Sequence, residues 1–191
     1  MGFKIIADAA SEPVTTSFAK LWTRIDGTTD DDIMDMLISG ARKAAESYCE
    51  RYFVSRTVEL NLDAFPDGEI ELPRPPVTSI THVKYIDSDG TLQTISSANY
   101  TFEQAHGDPT VRAWLLPAVD YEWPDTQDVA NAVQVRYVCG YSSCPEDVKE
   151  YILAHVASSY GQRESIARSD RVQKVVPFWV GKLDPYRILG V

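Results

Sequence analysis

Histidine and cysteine are scarce in this chain, and their scarcity removes large classes of chemistry at the outset. Three histidines (His82, His106, His155) and three cysteines (Cys49, Cys139, Cys144) occur in 191 residues. The histidines fall on three different predicted elements, which is not the spacing of a metal-ligand set. Three cysteines do not complete a disulfide framework. Cys139 and Cys144 flank a Gly-Tyr-Ser-Ser turn, but a zinc site there needs two more ligands. Free thiols in a reducing compartment are the expectation. The chain also lacks a Gly-rich phosphate loop, a G-x-S-x-G elbow, an H-E-x-x-H helix and a C-x-x-C pair. No apolar run approaches the ~18–20 residues that a membrane-crossing helix needs, and no signal-peptide pattern opens the sequence. It reads as a protein made in the cytosol, with no catalytic residue, cofactor or metal expected.

Two acidic clusters invite a metal reading and do not sustain it. Asp30, Asp31 and Asp32 are consecutive, and consecutive helix positions point about 100° apart, so they suit the positive end of a helix dipole instead. Asp87, Asp89 and Gly90 look like the start of a calcium loop. However, Asn99 and Tyr100 stand where its bidentate glutamate would be, so a hairpin turn is expected. Ten tyrosines and four tryptophans are present, mostly without basic neighbours to support base stacking.

The net charge of −10 disfavours duplex DNA as a partner of the chain's body. From Gln162 to Val191, six basic residues stand against three acidic ones, and the remainder holds 12 basic and 25 acidic groups. A mildly basic tail on an acidic body points to self-association or an acidic partner.

What the chain does have is one long apolar stripe. Between Asp30 and Phe53, Ile33, Leu37, Ala41, Ala44, Tyr48 and Tyr52 recur at helical spacing, widened by Met34, Ile38, Ala45 and Cys49. Thr28, Thr29 or Asp30 is the expected cap, and Arg51 suits the negative end. A shorter helix over Thr16–Arg24 is expected to turn Phe18, Leu21, Trp22 and Ile25 inward. Residues up to Pro13 read as an irregular arm.

After Phe53 the period changes to two. Strands are predicted at Thr57–Leu62, Glu69–Leu72, Ser79–Ile86, Thr91–Ile95, Asn99–Glu103, Thr110–Leu115 and Ala132–Val138. Pro73-Arg74-Pro75-Pro76 reads as a stiff extended segment, and Pro117–Ala130 as a long loop. Pro145 opens a last helix to about Glu164, with His155 in its stripe as a hydrogen-bonded core histidine. The tail is rich in large apolar groups, including Val175, Val176, Phe178, Trp179, Leu183, Tyr186, Ile188 and Leu189.

Strands grouped between helices indicate an α+β fold: a helical core, an inserted antiparallel β region and an extended C-terminal tail. The chain reads as one domain over residues 1–191. Within it, helices span 14–53, the β-rich insertion 54–140, a helix 145–165 and a docking tail 166–191.

Several phrases occur together in a fixed order. They are AKLWTRID, then acids, then LISGARKAAESYCER; ELPRPPVTSITHVKYIDSDG; Trp123-Pro124; VRYVCGY before a proline-led helix; YGQRE; and DPYR. This series, from about Val14 to Arg187, resembles the tailed-bacteriophage head–tail connector family, also called adaptor or head-completion proteins. The matching positions include Lys20, Arg24, Ile25, Asp26, Leu37, Ile38, Ala41, Arg42, Glu46, Tyr48, Arg51, Tyr160, Arg163 and Glu164. Trp22-Thr23 before Arg24 is an insertion-like departure from the family phrase.

The resemblance implies a non-enzymatic virion protein of the neck, made in the host bacterial cytoplasm. Its implied partners are copies of itself in a ring, a dodecamer when assembled, the portal protein, and a stopper or tail-completion protein. Genomic DNA would pass through the lumen without sequence-specific binding, and no membrane is involved. The tail residues Phe178, Trp179, Leu183, Pro185, Tyr186 and Arg187 have the composition of interface anchors. Two other readings compete: a different neck or tail-completion component, and an acidic inhibitor-like binding module.

Overall fold

The computed structural model describes residues 2–104, 112–161 and 180–188. Its two periodicities become two cores. The helical core gathers α1 (Thr16–Thr23), α2 (Asp31–Cys49) and α3 (Glu146–Gly161). Met34, Ile38, Ala41, Ala45 and Cys49 form the buried stripe of α2 and meet Val148, Ile152, Leu153 and Val156 of α3. The stripe is therefore centred one position later than the sequence reading had it. Leu37 and Tyr48 border the core, and Ala44 faces solvent. A wide apolar arc does not define its own centre, and here two charged residues, Arg42 and Glu46, share the buried side.

α2 begins after Asp30, whose side chain does not cap the helix but accepts a hydrogen bond from the Tyr160 hydroxyl of α3. It stops at Glu50, which turns left-handed at φ 54°. The helix thus ends earlier than expected, and Arg51, Tyr52 and Phe53 lead into the sheet.

The β core lies between two antiparallel sheets. Strands β1 (Gly2–Ala7), β2 (Arg56–Leu62), β4 (Val77–Ile86), β5 (Leu92–Ile95) and β8 (Val133–Cys139) form one sheet, in the order β1-β2-β8-β4-β5. Strands β3 (Ile70–Leu72), β6 (Tyr100–Gln104) and β7 (Ala113–Pro117) form the other, in the order β3-β7-β6. In the register, Val58 lies opposite Tyr137, Leu60 opposite Val135 and Leu62 opposite Val133. One face of the large sheet is therefore apolar, and it packs on Ile70, Leu72, Ala113 and Leu115 of the small one. The other face carries a cross-strand row, Lys4–Glu59–Arg136–His82.

The α+β class holds, with four departures in detail. Residues Gly2–Ala7 are an edge strand, where an irregular arm was expected; pairing with β2 orders them. Phe18, Leu21 and Trp22 do not face inward, because α1 packs through Ala19 and leaves these three 50%, 73% and 46% exposed. His155 is exposed beside Ser159 and Tyr151, since the buried stripe of α3 runs through Ile152 and Val156. Finally, the Pro73–Pro76 segment is not uniformly extended: Arg74 is left-handed at φ 63° and the Pro75–Pro76 peptide is cis.

Gly140 joins β8 to the loop before α3. Its φ is 104°, and any Cβ there would overlap the Val54 carbonyl. Only glycine lets these two backbone segments approach so closely.

Candidate interaction surfaces

Two of the family-phrase residues, Arg42 and Glu46, meet at the junction between α2 and the large sheet. Glu46 is 3% exposed and is the hub. One of its oxygens accepts from Arg42 at 2.8 Å, one turn back on the same helix. The other accepts from the Phe53 amide at 3.2 Å and from Arg56 of β2 at 3.3 Å. The Glu46 carbonyl accepts from Arg74, and the guanidinium groups of Arg56 and Arg74 lie over the Tyr52 ring. Burial pushes the Glu46 carboxyl above its ordinary range, against the pull of Arg56 and Arg42.

The N-terminal strand is tied into the same junction. Glu12 takes Arg42 with two hydrogen bonds, at 2.6 and 3.0 Å, Asp8 lies 3.0 Å from Arg56, and Lys4 lies 2.6 Å from Glu59. Arg42 and Glu46, singled out from the sequence, are brought together. Their partners Glu12, Arg56 and Glu59 were not singled out, because charges separated by long stretches of chain carry no periodic signal.

Lys20 pairs with Asp31 at 2.6 Å and fastens α1 to the start of α2. Arg24 is the left-handed cap that ends α1, and Asp26 is exposed in the following turn. These positions position elements rather than hold a ligand. Arg163 and Glu164 lie outside the described residues, as do Phe178 and Trp179.

The described part of the tail, residues 180–188, folds back onto the chain's own α2. Leu183 is 1% exposed in the helical core. Tyr48 donates to Asp184 at 2.7 Å, Arg51 donates to the Tyr186 carbonyl, and the Ile188 amide donates to the Cys49 carbonyl at 3.1 Å. Tyr186 meets Phe53 edge-on, and the Arg187 guanidinium lies over the Tyr48 ring. Of the expected anchors, Leu183 and Tyr186 thus pack internally, whereas Pro185 and Arg187 are exposed.

Among the described residues, apolar groups stay open in several places. Phe18, Leu21 and Trp22 form one side of α1 at three- and four-residue spacing. Phe3, Ile5 and Ile6 project from the edge strand β1. A groove of about 930 Å³ runs beside Val77 and Thr78 and is lined by Phe102, Trp114, Tyr141 and Arg112.

Nothing in these surfaces resembles a reaction centre. Among the described residues, no three histidine, cysteine or acidic groups gather into a metal-holding cluster. Burial pushes the thiols of Cys49, Cys139 and Cys144 up to about 12, so they are protonated and inert at neutral pH. Asp87 accepts from the backbone amides of Asp89 and Thr91, the work of a hairpin turn. No helix among the described residues is long and apolar enough to cross a membrane.

The family model for phage gp6-like head-tail connector proteins matches residues 15–115, more than half of the sequence. The chain belongs to that family. It is a structural part of the head–tail junction of a virion, not an enzyme. No curated protein matches the sequence. Among solved structures, a chain from the neck of an empty gene transfer agent (GTA) particle, computed with C6 symmetry, is similar at TM-score 0.80 and 17% identity. That match covers 100% of this chain and 97% of the other. A chain from the virion of a native GTA particle is similar at 0.78 and 18%, with the same coverage. A chain from the neck of a native GTA particle, computed with C12 symmetry, is similar at 0.71 and 18%, covering 98% and 97%. At these identities the likeness concerns the fold. The likeness in fold to these chains thus runs beyond the residues that the family model matches.

Proposed function

We propose that this connector works as one subunit of an adaptor ring that joins the portal to the stopper or tail-completion protein and continues the DNA channel. The observation that carries the reading is the family match from residue 15 to 115, which includes both α2 and most of the β region. The full-length fold likeness to chains of GTA necks, one computed with C12 symmetry, supports assembly of this chain with copies of itself. The net charge of −10 suits a channel wall, because DNA is held by phosphate contacts with basic groups and slides past acidic ones.

In this reading the whole chain acts as a single unit. The described tail is fixed by Leu183 and Tyr186 so that Pro185 and Arg187 face outward toward the portal. The test is mass photometry with negative-stain microscopy of the purified protein, alone and mixed with portal from the same genome. Rings on the portal, abolished by Arg187→Glu in a protein with wild-type melting behaviour, are expected. A monomer that ignores portal and binds the tail component instead would overturn the portal assignment.

A further inference from the structure

We propose that the outer edge of β1 pairs with the outer edge of β5 of a second copy of this chain, so that each large sheet continues into the next. This rests on the ring reading above and names the seam of that ring.

A closed ring needs two different, complementary patches on opposite sides of every subunit. The large sheet has that form, because β1 and β5 end its strand order and face in opposite directions. Each end strand offers a row of backbone N–H and C=O groups that no strand of its own sheet uses, and such a row is a template for another strand.

Natural edges are usually blunted by shortness, charge, proline or bulges. The small sheet shows such devices. β3 is three residues long and runs into Pro73, with Glu71 ion-paired to Arg112. β6 carries Glu103, and its Gln104 side chain accepts from the Val77 amide. The large sheet's edges carry fewer of these devices: both pair regularly over only four residues and β1 ends in a bulge, but neither holds a proline or an unpaired charge. β5, Leu-Gln-Thr-Ile, has no charged residue, and Leu92 is 52% exposed. β1 carries one charge, Lys4, already held by the buried Glu59.

Length and face agree as well. The β1 register shifts between Ile5 and Ala7, and this bulge confines regular pairing to Gly2–Ile5. That is four residues, the same as Leu92–Ile95. Phe3 and Ile5 stand opposite Leu60 and Val58, on the apolar face of the sheet. Gln93 and Ile95 stand opposite Tyr85 and Val83, on that same face. Joining the two edges places Phe3 and Ile5 over the neighbour's Ile95 and covers apolar surface that the isolated chain leaves open.

The test uses the full chain with the paired substitutions Ile5→Cys and Gln93→Cys, two exposed positions on one face. The native thiols are buried and protonated, so the background is quiet. Under mild oxidation in assembled rings, the pair should give a ladder of covalent oligomers on a non-reducing gel, and each single substitution should not. A second variant, Phe3→Lys with Ile5→Lys, charges the edge at exposed positions. It should melt like the wild type and form at least tenfold fewer rings. Wild-type rings without a ladder, together with normal rings from the lysine variant, would overturn this seam and leave the ring reading standing. No wild-type ring, alone or on portal, would overturn both.

Discussion

Replacing Glu46 by glutamine keeps the shape of the side chain and removes one charge from the junction of α2 and the large sheet. The carboxylate compensates two buried guanidinium groups, Arg42 at 3% exposure and Arg56 at 5%, and also accepts from the Phe53 amide. Glutamine keeps one acceptor oxygen. The hydrogen bonds from Arg42 and Arg56 lose the charge on their acceptor, about 1–1.5 kcal/mol each. The new amide N–H₂ also faces a guanidinium, donor against donor, and strands a buried polar group at about 1–3 kcal/mol. The sum is about 3–6 kcal/mol, overlapping what is usual for breaking one partner out of a buried ion pair. For a chain of this size, that lowers the melting temperature by about 6–24 °C. Urea unfolding followed by circular dichroism would report it as a lower midpoint at unchanged slope. Arg42→Ala should cost less in the glutamine background than in the wild type, by about 1–3 kcal/mol. A Glu46→Gln protein within about 1 kcal/mol of wild type would refute the hub argument.

Leu183→Ala opens a cavity in the helical core and should free the tail from α2, at a cost of about 2–5 kcal/mol. Hydrogen exchange of the Leu183 and Ile188 amides would read it, and unchanged protection would show that the polar contacts suffice. Gly140→Ala combines a left-handed backbone with a clash against the Val54 carbonyl and should cost more than about 2 kcal/mol, measured by thermal melt. Leu21→Ser should change monomer stability by less than about 0.5 kcal/mol, because that side chain is 73% exposed; a larger loss would mean that α1 packs through its other side. Acid titration of stability should show the Glu59 contribution. Burial raises its carboxyl, but hydrogen bonds from Lys4 and Arg136 outweigh this and hold it below the ordinary 4.5. The folded state therefore binds this proton less tightly than the unfolded one, and the contribution is complete above about 4.5 and lost as pH falls below it. Glu59→Gln should flatten the pH dependence in that range, and an unchanged acid limb would assign it to other carboxylates.

The sequence alone determined the classes of most of its elements, because periodicity is local. The 3.6-residue stripe of α2, the alternation of Val58, Leu60 and Leu62, the Asp87–Gly90 turn and the proline-led start of α3 each follow from side chains a few residues apart. The family resemblance was legible for the same reason, as short phrases in a fixed order. Tertiary structure decided everything that depends on what lies across from a residue. Phe18, Leu21 and Trp22 have the spacing of a core face, yet no other element among the described residues covers them, and His155 is exposed although its neighbours in the pattern are apolar. Gly2–Ala7 becomes a strand only because β2 offers a partner edge. Glu46 is buried because Arg42 and Arg56 come from a helix and a strand to meet it. Burial and pairing are properties of two segments at once, and a pattern read along one segment specifies a face without naming what it faces.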